Sequence, residues 1–97
     1  MPKGYWIVGV TVSDEARYPA YREAAQAAYD KFGAKFLVRG GRGETKEGSV
    51  RDRVVVVEFA DYETALACYD SPEYAAARAI RQSASAADFA IIEGHDA

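Results

Sequence analysis

The chain has 97 residues, of which 49% are hydrophobic and 28% charged, and its formal net charge is −3. This length suits one domain, so we predict a single domain over residues 1–97. The balance of apolar and charged residues is typical of a soluble globular protein. The acidic charge argues against nucleic acid as the main partner, because that partner calls for a basic stripe.

Cysteine content and hydropathy bear on the compartment. Cys68 is the only cysteine, so the fold does not depend on an internal disulfide or an oxidising compartment. Residues 1–4 lead directly into an apolar run without the features of a signal peptide, and no stretch is long enough to span a bilayer. We therefore expect a cytoplasmic protein with no membrane partner.

The first third of the chain predicts a strand, a helix and a second strand. Residues 5–12 are β-branched and aromatic, as strands prefer. Asp14 is a candidate helix cap, and apolar residues recur at three- and four-residue steps over 18–32, which indicates an amphipathic helix. Gly33 is placed to end that helix. A second strand is predicted over residues 35–39.

The middle of the chain predicts a break and a third strand. The glycines at 40–41 break or bulge the second strand. Residues 42–52 are polar and predict an exposed hairpin, with room for a short edge strand. Residues 53–59 contain four consecutive valines and predict a central strand.

The C-terminal third predicts two helices and a last strand. Asp61 caps a second helix, which stops at the Ser-Pro pair at 71–72; that pair then starts a third helix running to about residue 83. The last strand is predicted over 89–93, and 94–97 form a tail. The order β-α-β-β-α-α-β is that of an α+β, ferredoxin-like βαββαβ fold with an antiparallel sheet, its second helical segment split in two.

Both faces of the predicted sheet are apolar. In this fold the helices cover one face, and the other should be polar. Here the second face of the two central strands carries Tyr5, Ile7, Val54 and Val56. Leaving it bare would expose several hundred Å² of apolar surface, which is large for a monomer. The simplest cover is the same face of another copy, so we expect a two-fold homodimer in which the sheets form a closed or near-closed barrel.

Six short pieces of the sequence resemble a known family. They are Gly-Tyr-Trp-Ile-Val at 4–8, Phe-Leu-Val-Arg-Gly-Gly at 36–41, Val-Glu-Phe at 57–59, Ser-Pro-Glu-Tyr at 71–74, Arg78 with Arg81, and Ile-Glu-Gly at 92–94. In order and spacing they are similar to an uncharacterised bacterial family, domain of unknown function 1330. The resemblance covers nearly the whole chain and implies a dimeric α/β barrel. That superfamily also contains cofactor-independent monooxygenases, isomerases of small aromatic acids and haem-degrading enzymes.

Arg39 and Glu58 are the main candidates for chemistry. Arg39 ends a strand before two glycines, where a backbone can approach a ligand closely, and arginine suits planar recognition of a carboxylate. The alternative, which the residues favour, is a salt bridge to Glu58, Glu93 or an acid of the partner chain. Glu58 lies on a central strand among valines, so it should be paired with Arg39 or Arg53, or else act as a general base in an open pocket.

Tyrosines and two more arginines complete the candidate ligand site. Arg78 and Arg81 lie three residues apart on the third helix, on either side of the angular position of Tyr74 around the helix axis. Tyr74 and Arg81 lie at the border of the helix's apolar stripe, and the two arginines beside the tyrosine could bind an acidic molecule. Such arginines more often lay their stems along the edge of the core. Further tyrosines could orient a ligand through their hydroxyls, although at this spacing they are usually core residues. They are Tyr5, Tyr21 and Tyr69.

The sequence predicts no metal or cofactor site. His95 is the only histidine, and with Cys68 it forms no cluster of metal-ligand spacing, although haem ligation by His95 is an alternative. We expect a homodimer that binds a small acidic or aromatic molecule. The alternative is a cofactor-independent enzyme, monooxygenase- or isomerase-like, in which Arg39 orients the substrate and Glu58 or a tyrosine moves a proton.

Overall fold

A computed structural model of the protein describes residues 2–95. Its elements are β1 Gly4–Val12, α1 Tyr18–Phe32, β2 Lys35–Arg39, β3 Arg53–Phe59, α2 Tyr62–Asp70, α3 Pro72–Ala84 and β4 Ser85–Glu93. The strands form one antiparallel sheet in the order β2-β3-β1-β4. The predicted α+β, ferredoxin-like architecture is confirmed. Residues 96 and 97 of the predicted tail lie outside the described residues.

The hydrophobic core lies between the helices and one face of the sheet, with Trp6 at its centre. Trp6 is 1% exposed. Its ring contacts those of Phe59, Tyr74 and Phe89 at centroid distances of 5.0, 4.9 and 5.0 Å. The indole Nε1–H donates a hydrogen bond to the Ala65 carbonyl at 2.9 Å, which fixes α2 to β1. This arrangement satisfies the one polar group that the buried ring carries.

Two residues, Asp61 and Ser71, act as helix caps, as predicted. The Asp61 carboxylate accepts a hydrogen bond from the Thr64 N–H at 2.7 Å and caps α2. The Ser71 hydroxyl accepts from the Tyr74 N–H at 3.1 Å and donates to the Cys68 carbonyl at 2.7 Å. One side chain thus ends α2 and begins α3, which is why the second helical segment is split.

Asp14, the candidate cap for α1, does not occupy the N-cap position. The N-cap is Arg17, which makes no side-chain cap bond. The Asp14 carboxylate instead accepts hydrogen bonds from the N–H groups of Ala16 and Arg17, so it folds the turn that precedes the helix. At the other end, Gly33 has a φ of 67° and is the predicted C-cap.

Two strand predictions differ from the structure. β4 begins at Ser85, four residues before the predicted start, and its first residues pair with the end of β1. This pairing overrides the low strand propensity of the Ser-Ala-Ala-Asp run at 85–88. The segment 40–52 contains no strand, so the edge strand considered for the predicted hairpin does not form there.

The register of β2 shifts at Leu37. Phe36 and Val38 pair with consecutive residues of β3, so Leu37 is an extra residue in the strand. In a regular strand, Phe36 and Arg39 would point to opposite faces of the sheet. The extra residue returns Arg39 to the helix-covered face, beside Phe36. The predicted bulge therefore exists, but it lies before the glycines rather than at them.

The face of the sheet opposite the helices is uncovered in the single chain. Its large apolar side chains include Ile7, Val38 and Ile92, which are 39%, 41% and 52% exposed. An ion pair between Arg51 and Asp88, at 2.9 Å, is a polar feature of this face. The apolar second face is thus present as predicted. No helix within residues 2–95 is long and apolar enough to cross a membrane.

Candidate functional site

A small cavity lies between α1, α3 and the helix-covered face of the sheet. Its volume is about 30 Å³, which leaves room for about two water molecules. Its aromatic walls are Trp6, Tyr18, Tyr21, Tyr29, Phe36 and Phe89. Four arginines, Arg22, Arg39, Arg53 and Arg81, complete the polar part of the lining.

A wider cleft adjoins this inner cavity at the start of α1. The outer cleft has a volume of about 190 Å³ and shares Tyr18, Arg22 and Arg53 with the inner cavity. These three side chains therefore form the boundary between the two spaces. Glu15 is the carboxylate that lines the outer cleft.

Arg81 is the most deeply buried charge of the site. It is 5% exposed, and its Nε has no hydrogen-bond partner. Its guanidinium carbon lies 5.6 Å from the centre of the Phe89 ring. Arginine is rarely buried without a pairing group, because the charge loses its hydration. The ion pairs formed within residues 2–95 are Lys31–Glu73, Lys46–Glu44 and Arg51–Asp88, so none involves a cavity arginine.

Arg39 and Arg53 approach the cavity from the sheet. The guanidinium carbon of Arg39 lies 3.9 Å from the centre of the Phe36 ring, a close cation–π contact. Arg53 also has a buried Nε without a partner, and its guanidinium lies 5.9 Å from the Tyr18 ring centre. It packs against Gly40, whose φ is 68° and where an added Cβ would overlap the guanidinium. Glycine at 40 therefore meets both a backbone and a packing requirement.

Three tyrosine hydroxyls form a buried chain beside the cavity. The Tyr21 oxygen lies 2.8 Å from that of Tyr74 and 3.2 Å from that of Tyr29. Burial raises the pKa of Tyr21 and Tyr74 far above the usual range and that of Tyr29 to about 12. The nearby charges of Arg81 and Arg39 oppose this rise in the pKa of Tyr74 and Tyr29 respectively. All three hydroxyls therefore stay protonated at neutral pH and can act as donors.

The structure separates the two helical arginines that the sequence grouped together. Tyr74 and Arg81 are 0% and 5% exposed, so they lie within the buried face of α3 rather than at its border. Arg78 points elsewhere: its guanidinium lies 4.7 Å from the Tyr69 ring centre and donates to the Tyr69 carbonyl at 3.4 Å. Arg81 and Tyr21 line the cavity with Arg39, whereas Arg78 and Tyr69 do not.

Glu58 and Tyr5 lie on the opposite face of the sheet. The two residues are paired across β1 and β3, and the Tyr5 hydroxyl donates to the Glu58 carboxylate at 3.2 Å. The expected ion pair of Glu58 with Arg39 or Arg53 is wrong, since the sheet stands between them. No ion pair joins Arg39 to Glu93 in the part of the chain that the structure describes. Within one subunit, Glu58 therefore does not share a pocket with Arg39.

Four polar side chains of the cavity lining were not among the site residues predicted from the sequence. They are Tyr18, Arg22, Tyr29 and Arg53. Arg53 carried a usable signal, because it alternates with Val55 and Val57 and must share their helix-covered face. Arg22 follows Tyr18 by one helical turn, and its guanidinium lies 5.9 Å from that ring.

Histidine and cysteine do not contribute to this site. Residues 2–95 contain no group of three or more His, Cys, Asp or Glu side chains that could hold a metal ion. Cys68 is buried against α1, and burial raises the pKa of its thiol to about 12. His95 is exposed at the end of the described residues and does not line the cavity.

The sheet order and the helices on one face define a ferredoxin-like α+β protein, here with an arginine-rich cavity under its helices. The chain belongs to the family described as domain of unknown function DUF1330, whose family model matches residues 3–95. The family membership predicted from the sequence is thus confirmed. No curated protein matches the chain.

Solved structures share the fold. A protein of unknown function from Rhodopseudomonas palustris is 15% identical with a TM-score of 0.78, covering 99% of this chain and 85% of that chain. SnoaB, a cofactor-independent oxygenase from Streptomyces nogalater, is 11% identical with a TM-score of 0.65, covering 100% and 97%. A dimeric protein of unknown function and ferredoxin-like fold from Bacteroides fragilis is 18% identical with a TM-score of 0.63, covering 94% and 95%. At these identities the likeness concerns the fold alone.

Proposed function

We propose that the protein is a homodimer that binds a small acidic or aromatic molecule in the inner cavity and outer cleft. The observation that carries this proposal is the set of four cavity arginines without an ion pair among the described residues. The chain as a whole has a net charge of −3, so the cluster is not a consequence of a basic composition. Uncompensated guanidinium groups in a partly dry site favour an anionic ligand.

The dimensions and walls of the site support a small ligand with an aromatic ring. The outer cleft, at about 190 Å³, is smaller than the roughly 300 Å³ at which drug-sized pockets begin. The Tyr18 side chain lines both spaces, and Arg39 is exposed enough to move when a ligand enters. A metabolite of a single ring fits these limits better than a nucleotide or a lipid.

The proposed partner is a second copy of the same chain, packed on the uncovered face of the sheet. The chain exposes 6045 Å², whereas a compact monomer of its mass exposes about 5,500 Å². Apolar side chains of the central strand β1 and the edge strand β4 lie within this face, so a self-complementary contact would cover them. The dimeric Bacteroides fragilis protein has the same fold. Multi-angle light scattering on the purified protein tests this part: a monomeric mass at micromolar concentration would refute it.

Ligand binding is tested on the freshly purified dimer. Native mass spectrometry should detect a co-purified small molecule, and a panel of small carboxylates and aromatic compounds should include some that raise the melting temperature. Arg53→Met should abolish this effect, since Arg53 belongs to both spaces. Arg78→Met is the matched control, because Arg78 lies outside them. The proposal would be contradicted if no small molecule co-purified and no compound of the panel raised the melting temperature.

A cofactor-independent enzyme is the second candidate. The likeness to SnoaB over the whole chain and the aromatic cavity favour oxygenation. Without a cofactor, the electrons passed to oxygen must come from the substrate, so an ionised, electron-rich ring is required. The arginine cluster would stabilise such an anion. Oxygen uptake with phenols and hydroquinones should exceed that of Arg53→Met protein; equal rates would exclude this role for the cavity.

A further inference from the structure

We infer that the inner cavity binds the carboxylate group of the ligand, with Arg81 as the buried anchor and Tyr29 as a neutral donor, while the ring of the ligand occupies the outer cleft. This inference rests on the proposed function and narrows the ligand to a monocarboxylic acid of one ring. Arg81 and Tyr29 line the inner cavity but not the outer cleft, so a ligand reaches them only past Tyr18, Arg22 and Arg53.

Arg81 is placed as an anchor whose partner is missing. Its side chain is 5% exposed, it lines the inner cavity, and its Nε donates to nothing. The buried Nε of Arg53 also has no hydrogen-bond partner. Each Nε–H is buried without an acceptor, and an incoming carboxylate would supply one. Among the described residues, no carboxylate lines the inner cavity.

The tyrosine chain adds one donor. Three hydroxyl protons are available for two contacts, Tyr74 with Tyr21 and Tyr21 with Tyr29, so one proton has no acceptor within the chain. Of the two terminal hydroxyl groups, that of Tyr29 belongs to a residue that lines the cavity, whereas Tyr74 does not line it. A ligand oxygen beside Tyr29 and Arg39 would accept this spare proton.

The resulting inner cavity presents an excess of donors. Its polar side chains are guanidinium groups and tyrosine hydroxyls, so a bound group has to accept several hydrogen bonds. A carboxylate has about four acceptor positions and matches the planar guanidinium. The volume of about 30 Å³ suits two oxygen atoms and no ring. The rest of the molecule must pass the boundary and lie in the outer cleft.

The test compares benzoate with benzamide, a neutral compound of nearly the same shape, by calorimetric titration of the intact protein; phenylacetate and acetate extend the series. Benzoate should bind and benzamide should not. Arg81→Met should weaken benzoate binding by about 10- to 100-fold, and Tyr29→Phe by about 10-fold or less. Arg78→Met, on the same helix but outside the cavity, should bind benzoate as the wild type does.

The ligand-free variants separate a binding role from a structural one. Because Arg81→Met removes an unpaired buried charge, its melting temperature without ligand should equal or exceed that of the wild type. If this variant does not fold, Tyr29→Phe, which removes one oxygen atom, carries the comparison. Unchanged benzoate affinity in Arg81→Met or Tyr29→Phe would overturn the inference.

Two results distinguish failure of this inference from failure of the proposed function. Equal affinity for benzamide and benzoate, or no binding of benzoate, phenylacetate and acetate, would overturn the carboxylate site. The broader proposal would survive either result if neutral aromatic compounds bind or a small molecule co-purifies. It fails only if these observations are negative as well.

Discussion

Replacing Ile7 with aspartate should dissociate the proposed dimer without unfolding the subunit. Ile7 lies on β1, between Val56 of β3 and Ala90 of β4. It is 39% exposed in the single chain, so a carboxylate there is hydrated in the monomer. In a face-to-face dimer it would be covered and removed from water.

The size of the effect follows from the two-fold symmetry. An unpaired carboxylate removed from water costs several kcal/mol, and we take about 3 kcal/mol for each copy. Every dimer carries two copies, so the association free energy falls by about 6 kcal/mol. At 1.4 kcal/mol for each factor of ten, the dissociation constant rises about ten-thousandfold.

Sedimentation velocity over a concentration series measures this change, and circular dichroism checks that the subunit is folded. Ala27→Asp is the matched control, because Ala27 is exposed on α1 and far from the uncovered face. Wild type and the control should sediment as dimers, and Ile7→Asp as a monomer at micromolar concentration. A stable Ile7→Asp dimer would refute the face-to-face arrangement.

Four further predictions concern the packing and caps of the fold. Gly4→Ala should lower the free energy of unfolding in urea by about 1–3 kcal/mol, because the new Cβ would overlap the Asp61 backbone. Ser71→Ala should lower it by about 1–2 kcal/mol, since the hydroxyl both accepts from Tyr74 and donates to a carbonyl. Iodoacetamide at pH 8 should label Cys68 only after denaturation, because burial raises the thiol pKa to about 12. The α2 cap lowers the pKa of Asp61 below its ordinary 3.8; its stabilising effect should be complete above that pH and disappear as the pH falls through the lowered value.

Each of these has a clear contrary result. A fully stable Gly4→Ala protein would mean that the β1–α2 contact is looser than described. Unchanged stability of Ser71→Ala would remove the explanation of the split helical segment. Rapid labelling of native Cys68 would show that α2 opens readily. A melting-temperature difference between wild type and Asp61→Ala that stays constant as the pH falls from neutral to below the lowered pKa of Asp61 would show that the cap does not act through the ionised carboxylate.

Local patterns in the sequence were sufficient for most elements. The helix at 18–32 was predicted with the same bounds, because its periodicity and terminal glycine are local signals. The caps at Asp61 and Ser71 were predicted for the same reason. The early start of β4 at Ser85 was not, because its small residues become a strand only through pairing with β1.

The candidate site depended much more on contacts between distant segments. The sequence alone identified Arg39, Arg81 and Tyr21 as candidates, but also Glu58, which the sheet separates from them. The face of the sheet to which a strand residue points can be counted from the sequence only while the strand has no bulge.

Composition, periodicity and capping residues determined the order of elements, the fold class and the apolar character of both sheet faces, since these depend on neighbours along the chain. The tertiary structure decided that Leu37 is an extra residue, which turns Arg39 toward the helices. It also decided that the Nε of Arg81 is buried without a hydrogen-bond partner, on a helix that also carries one of three linked tyrosines. Strand register and side-chain burial depend on which distant segments pack together, and local sequence patterns do not reveal those contacts.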